Sequence, residues 1–163
     1  MENDLKFELN RYKYIIENLK DVIWEMNNDF AFTFVTPNDR DMSWYEAEEL
    51  IGRKITEFLV EDSQEYFYDQ VTRHVNERIN GDPDKTVLHD MQFICQNGLV
   101  KWVQVAANLM FEEGKFIGYI GTTRDISEKK DYERKLNRYI EELKLVNSKL
   151  EKNGYDRHSD RCL

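Results

Sequence analysis

Residues 86–127 read TVLHDMQFICQNGLVKWVQVAANLMFEEGKFIGYIGTTRDIS. Three runs rich in strand-forming residues are divided by Asn97-Gly98 and Glu113-Gly114, and turn dipeptides between such runs specify a three-stranded antiparallel meander. Successive strand side chains point to opposite faces. In the first run Val87, His89, Met91, Phe93 and Cys95 therefore form an inward row, with Asp90, Gln92 and Gln96 opposite. In the second, Val103, Val105, Ala107 and Leu109 make the cleaner apolar row and leave Trp102, Gln104, Ala106, Asn108 and Met110 on the other side. A plain two-residue turn at Asn97-Gly98 would place Phe93 and Trp102 on one face, against both rows. The hairpin is therefore expected to carry one extra residue, with Gly98 at positive φ. The last run, Phe116 to Ile126, is apolar on both faces, so the outer face needs a cover, with Trp102 as its expected anchor.

The chain of 163 residues has room for one domain with a sizeable core plus extensions. Its hydrophobic fraction of 40%, with nine Phe, nine Tyr and three Trp, supplies that core. A net charge of −9 argues against nucleic acid, whose phosphates need clustered Lys and Arg. No apolar run approaches a membrane span, and MENDLKFELN lacks a basic flank followed by an apolar stretch. Two cysteines, Cys95 and Cys162, are too few for a disulfide framework, and the cytoplasm is the expected compartment.

Leu5, Leu9, Tyr12, Ile16 and Leu19 recur at spacings of four and three, one stripe of a helix over residues 1–20. That helix is expected to cap the outer sheet face and to contribute to a dimer seam. Asp21 to Met26 and Phe30 to Val35, joined by Asn27-Asn28-Asp29, form a hairpin that Thr36-Pro37-Asn38 ends. A short helix from Trp44 to Leu50 is expected to follow, with Ser43 and Glu46 as its capping box and Gly52 past its end. A longer helix, Ser63 to Asn80, has Asp62 and Glu65 at capping spacing and Gly81 as its stop. Phe67, Val71, Val75 and Ile79 form its inward stripe, with His74 at the margin.

After Ser127 the composition changes. Residues 128–152 are densely charged, while Tyr132, Leu136, Tyr139, Leu143, Val146 and Leu150 keep an unbroken a/d spacing, the seam of a two-stranded coiled coil. Asp125 with Glu128, or Ser127, can cap its start, and Asp131 to Lys135 is a supporting i,i+4 pair. Residues 153–163 lose the pattern and are expected to be a disordered tail.

Hairpin, short helices, one long helix and a meander, over Tyr12 to Ser127, resemble the PAS sensor domain of signal-transduction proteins. Tyr45 to Ser63 (YEAEELIGRKITEFLVEDS) is similar to the family's "eELiGk…d" segment, Asn97-Gly98 with Trp102-Val103 to its "DG…WV" hairpin, and Gly118-Tyr119-Ile120-Gly121 through Asp125-Ile126-Ser127 to its "GyxG…DIT" ending. Asn27-Asn28-Asp29 replaces a turn that usually holds Gly, Thr36 a frequent Asn, and Glu61 a frequent Pro. These departures bear on loop geometry, not on the fold. The resemblance implies an α+β fold: a five-stranded antiparallel sheet over residues 21–127, short helices on one face, and flanking amphipathic helices.

It also implies a ligand site on the concave inner face, here drawing on His74, His89, Met91, Phe93, Val105, Ala107, Tyr119 and Gly121. Asp125, Ile126 and Ser127 would be the junction to a helical linker, and a histidine kinase or diguanylate cyclase the output domain in cis. Leu5, Leu9, Tyr12, Ile16, Leu136, Tyr139, Leu143, Val146 and Leu150 would form a homodimer seam. A small organic ligand is the expected cargo. Flavin held by a cysteine adduct is excluded, because no cysteine lies between Met1 and Ile94. Haem on His74 is disfavoured, since one histidine beside an apolar stripe is more often a rim residue. No phosphate loop, metal-ligand spacing or nucleophile with a base appears, and Glu48-Glu49 and Glu112-Glu113 read as solvated charge, so the chain is not expected to be an enzyme. The rival reading is a ligand-free dimerisation and relay module whose interior is filled by its own side chains.

Overall fold

Both turn dipeptides of the meander form, each in the geometry its residues allow. In the computed structural model, which describes residues 2–79 and 86–159, β3 (Val87–Ile94), β4 (Val100–Glu112) and β5 (Lys115–Asp125) run antiparallel. At the first turn the Gly98 N–H donates to Cys95 O and the Cys95 N–H to Leu99 O, with Gly98 at φ +82°. The extra residue is there, and Phe93 pairs with Lys101 instead of Trp102. At the second, Glu113 and Gly114 both take positive φ and Glu112 pairs with Lys115, a type I′ turn whose twist matches the strands.

The remaining strands, β1 (Val22–Asn27) and β2 (Phe32–Val35), dock on the other side of β5, giving the order β2-β1-β5-β4-β3. The last strand in sequence is thus the central one. That position explains why Phe116 to Ile126 is apolar on both faces. Trp24 lies across it: a β-carbon at Gly121 would come within 2.5 Å of the indole and 2.3 Å of Ala106 O. The indole Nε1–H donates to Thr123 Oγ1 at 2.8 Å, which satisfies its polar edge inside the core.

The β1–β2 turn is built without glycine. Asn27 Oδ1 accepts the N–H groups of Asp29 and Ala31, and Phe30 takes the left-handed conformation at φ +64°. Its ring turns inward onto Phe67, at 5.1 Å, and Tyr119, at 5.2 Å. Thr36, fully buried, accepts the Ile23 N–H on its hydroxyl and so extends the ladder to the start of β1.

The inner face is covered by α2 (Asp39–Ser43), α3 (Ala47–Leu50), a 3-10 turn (Ile55–Phe58) and α4 (Glu61–Ile79). Their apolar residues Leu50, Phe58, Leu59 and Phe67 meet Trp24, Phe32, Met91, Phe93 and Val103 from the sheet. Phe58 stacks on Phe93 at 5.6 Å.

Several expectations are corrected here. There is no helix from Trp44 to Leu50. Ser43 closes α2, Trp44 turns left-handed at φ +64°, and the chain restarts at α3. The Ser43 hydroxyl donates back to the Asp39 carboxylate one turn earlier, as serine does inside a helix, and accepts the Tyr45 N–H at 3.2 Å, while the Glu46 N–H goes to Glu49. The reciprocal cap belongs to Glu46, whose N–H is accepted by Glu49 Oε2 at 2.8 Å. The long helix begins at Glu61, so Asp62 and Glu65 fall in its body, and Ser63 faces inward to accept the Gln92 N–H from β3. The helix α1 (Glu2–Asn18) does not cap the sheet: Leu5, Leu9, Tyr12 and Leu19 are exposed. Trp102 is half-buried. The side chains of Val75, Ile79 and Val87, the loop from Gly81 to Asp84, and Cys162 lie outside the described residues.

The chain divides after Ile126 into two units. The second consists of α5 (Ser127–Ser159), with Tyr132, Leu136, Tyr139, Leu143, Val146 and Leu150 all exposed. The helix runs past Lys152 and through most of the segment expected to be a disordered tail. Once nucleated, each further residue adds a hydrogen bond, and Tyr155 to Ser159 hold no proline to stop it.

Candidate functional site

Between the inner sheet face and the helices lies a cavity of about 90 Å³. Its walls are mostly Trp24, Met26, Phe30, Phe32, Phe67, Val71, Met91, Phe93, Val103, Val105, Ala107 and Leu109. The strands supply this apolar wall because their inward rows are adjacent in register: His89 pairs with Val105, Val105 with Thr123, and Met26 and Leu109 both pair with Tyr119. His74, His89, Met91, Phe93, Val105, Ala107 and Tyr119 are all brought to the cavity. Gly121 is not, because the Trp24 ring occupies the space in front of it.

Besides Gln70, Asn108, Tyr119 and Thr123, the polar groups of the wall form two sets. The first is His74 on α4, His89 on β3 and Tyr66 on α4. The imidazole centroids are 5.1 Å apart, and Tyr66 Oη is 3.0 Å from His89 Nδ1. His74 Nδ1 lies 3.6 Å from Glu77 Oε2 on the same helix, at ion-pair distance. His74 Nε2 is buried and has no hydrogen-bond partner in the protein. Burial holds the His89 imidazole below its ordinary pKa, and the charges of His74 and Arg73 push it the same way, with Asp90 opposing. His74 is therefore a lining residue and not a rim residue: α4 lies along the sheet, so a position beside its apolar stripe still looks onto β3.

The second set is Asp39 with Ser43, which sequence reasoning missed. Asp39 is 3% exposed, lines the cavity, and is pushed up to about 6 by burial, against the pull of the Ser43 hydroxyl. Its available signal was the spacing of four between Asp39 and Ser43, which on a helix places a hydroxyl over a carboxylate. Phe30 and Tyr66 were missed as well, Phe30 because only its left-handed backbone turns the ring inward. Tyr119 is pushed up to about 12 by burial and remains a neutral phenol.

The end of the sheet is pinned separately. Asp125 Oδ2 sits 3.1 Å from Lys101 Nζ, which also lies 5.2 Å from the centroid of the Trp44 ring. The Ile126 N–H donates to Trp102 O at 2.9 Å, and the Ile126 side chain is buried. The predicted junction residues Asp125 and Ile126 are thus tied to β4 at the point where the first unit ends.

Chemically, the cavity can hold a small apolar molecule and offer it a few hydrogen-bonding groups. A macrocycle with an iron on His74 does not fit in about 90 Å³, since a cavity of roughly 150 Å³ takes up only a benzene. Among the described residues no group of three or more His, Cys, Asp or Glu could hold a metal ion, and no helix is long and apolar enough to cross a membrane.

The PAS fold family matches residues 10–126. Over 155 residues the chain is 22% identical to sporulation kinase C of Bacillus subtilis (strain 168), covering 89% of this chain but 35% of that protein, so it spans about a third of the relative's length. Among solved structures, a sensory box histidine kinase/response regulator from Burkholderia thailandensis E264 superposes with a TM-score of 0.60 at 19% identity, covering 82% of this chain and 98% of that one. The N-terminal domain of a diguanylate cyclase with PAS/PAC sensor from Marinobacter aquaeolei gives 0.55 at 18% identity, covering 68% and 98%. With the sheet order, the inner-face helices and the family match in agreement, the chain belongs to the PAS family.

Proposed function

We propose that this chain is the sensory module of a signalling protein of histidine kinase or diguanylate cyclase type, and that its inner-face cavity takes a small organic ligand. The observation that carries the reading is the apolar cavity of about 90 Å³ with buried polar groups on its wall, the usual makeup of a small-molecule site. Catalysis belongs to an output domain in cis. Occupancy of the cavity acts on β3, β4 and α4, and β4 holds the junction through Lys101 to Asp125 and Trp102 O to the Ile126 N–H. The exposed a/d stripe of α5 pairs with a second copy and carries a shift in pitch or register onward. Cytoplasmic placement and homodimerisation through the flanking helices are part of this proposal.

A second reading, a ligand-free relay module, is favoured by the aromatic ring cluster of Phe30, Phe67, Phe116 and Tyr119, which fills one side of the interior. Native mass spectrometry of the purified protein against the denatured chain separates the two. Excess mass released on denaturation supports the sensor; a bare dimer that no small molecule shifts supports the relay.

A further inference from the structure

The cavity carries one feature that bears on the kind of ligand it takes, and the inference rests on the reading of that cavity as a ligand site. We propose that the ligand is a short aliphatic monocarboxylate, its acid group received by His74 Nε2 beside His89 and its hydrocarbon chain in the apolar cavity.

Three observations lead there. First, His74 Nε2 is buried without a protein partner, in a cavity whose surroundings are apolar. A buried polar group left unsatisfied is costly, so a ligand atom that bonds it binds more tightly than a purely apolar one. Secondly, Glu77 stands 3.6 Å from the other ring nitrogen, Nδ1, and is more exposed than the imidazole. A carboxylate on that side favours a proton on Nδ1 and leaves Nε2 as the base that faces inward. A carboxylate binds such a nitrogen together with one proton taken up from solvent: the proton goes onto Nε2, and the carboxylate accepts the new N–H as a charge-assisted bond.

Thirdly, the sign of the local charge selects an anion. His74 and Arg73 act on His89 as positive neighbours, and its Nδ1 is engaged by Tyr66. The opposing carboxylates are Glu77, on the outer side of His74, and Asp90, which neighbours His89 in sequence and pairs with Gln104. An ammonium head would meet the two imidazoles, with the Arg73 charge behind them. A carboxylate would be drawn by the His74 N–H that forms as it binds, with Arg73 adding a longer-range attraction. The cavity volume of about 90 Å³ limits the hydrocarbon tail beyond the carboxyl carbon to about four carbons, fewer than the six of the benzene that a cavity of roughly 150 Å³ takes.

The test uses the full chain with pentanoate, pentanol and pentylamine, three probes of nearly one shape, titrated by calorimetry. Pentanoate is expected to bind at least about tenfold tighter than pentanol, the difference between a charge-assisted and a neutral hydrogen bond, with pentylamine weakest. In His74→Leu that preference is expected to collapse to within about twofold while pentanol still binds. In ¹⁵N-labelled wild type, pentanoate should shift the His74 Nε2 resonance, a readout that does not depend on the variant folding. Pentanol binding as tightly as pentanoate, a preference for pentylamine, or an unmoved His74 resonance overturns the carboxylate assignment and leaves the cavity as a ligand site. Binding of none of the three overturns both.

Discussion

Asp39 places a carboxylate in an apolar interior, and the cost of its charge is a quantity that pH can read. Its folded pKa is raised from 3.8 to about 6 by burial. The folded state therefore holds a proton that the unfolded chain has already released between those values, and stability falls as pH rises through that window. The shift corresponds to on the order of 3 kcal/mol. His89 has the opposite sign: its lowered pKa makes stability rise with pH up to the ordinary histidine range. The two are separated by a variant. Asp39→Asn is expected to remove the decline between about pH 4 and 6 and to be the more stable protein above pH 7, measured by urea unfolding at several pH values. A second residue-scale prediction concerns Gly121. A methyl group there meets the Trp24 indole and Ala106 O, so Gly121→Ala is expected to lose about 2–4 kcal/mol and to shift the Trp24 emission, read by denaturant titration.

At the scale of elements, β4 is the strand through which both the cavity and the junction are held. Its residues Val103, Val105 and Ala107 line the cavity, and Lys101 and Trp102 hold Asp125 and Ile126. Lys101 is mostly covered while Asp125 is partly exposed, so the pair is worth only about 1 kcal/mol. Its consequence is local. Lys101→Met is expected to leave the global unfolding midpoint within a few degrees of wild type while speeding amide exchange at Ile126 several-fold. Unchanged exchange there would remove the Lys101 link from the proposed relay. The inward rows of β3 and β4 were legible in the sequence, because a buried face imposes period two on residue choice and the row conflict demanded the extra turn residue. The helices over that face were less so. Ser43 is a competent cap on paper, yet its hydroxyl donates back to Asp39 and accepts the Tyr45 N–H instead of that of Glu46, a choice that a spacing rule cannot rank.

At the scale of the whole molecule, α1 and α5 expose apolar stripes, and these are where the proposed dimer is decided. Replacing Leu143 and Val146 together by Glu is expected to convert a dimer at low micromolar concentration into a monomer, measured by sedimentation, with the far-ultraviolet spectrum of the sheet unchanged. A variant that stays dimeric would move the contact away from the α5 seam.

Read on its own, the sequence determined the family, the meander and its two turns, the inward rows and the a/d stripe of α5, because each of these is written as a local period or a turn dipeptide. Only the tertiary structure decided that β5 is central, that Gly121 belongs to the Trp24 indole and not to the cavity, and that Asp39, Phe30 and Tyr66 join His74 and His89 on its wall. Those facts depend on which elements pack together. The Phe30 ring against Phe67 and Tyr119, and a histidine facing across to β3, are set by contacts between segments far apart in the chain, where no local period runs.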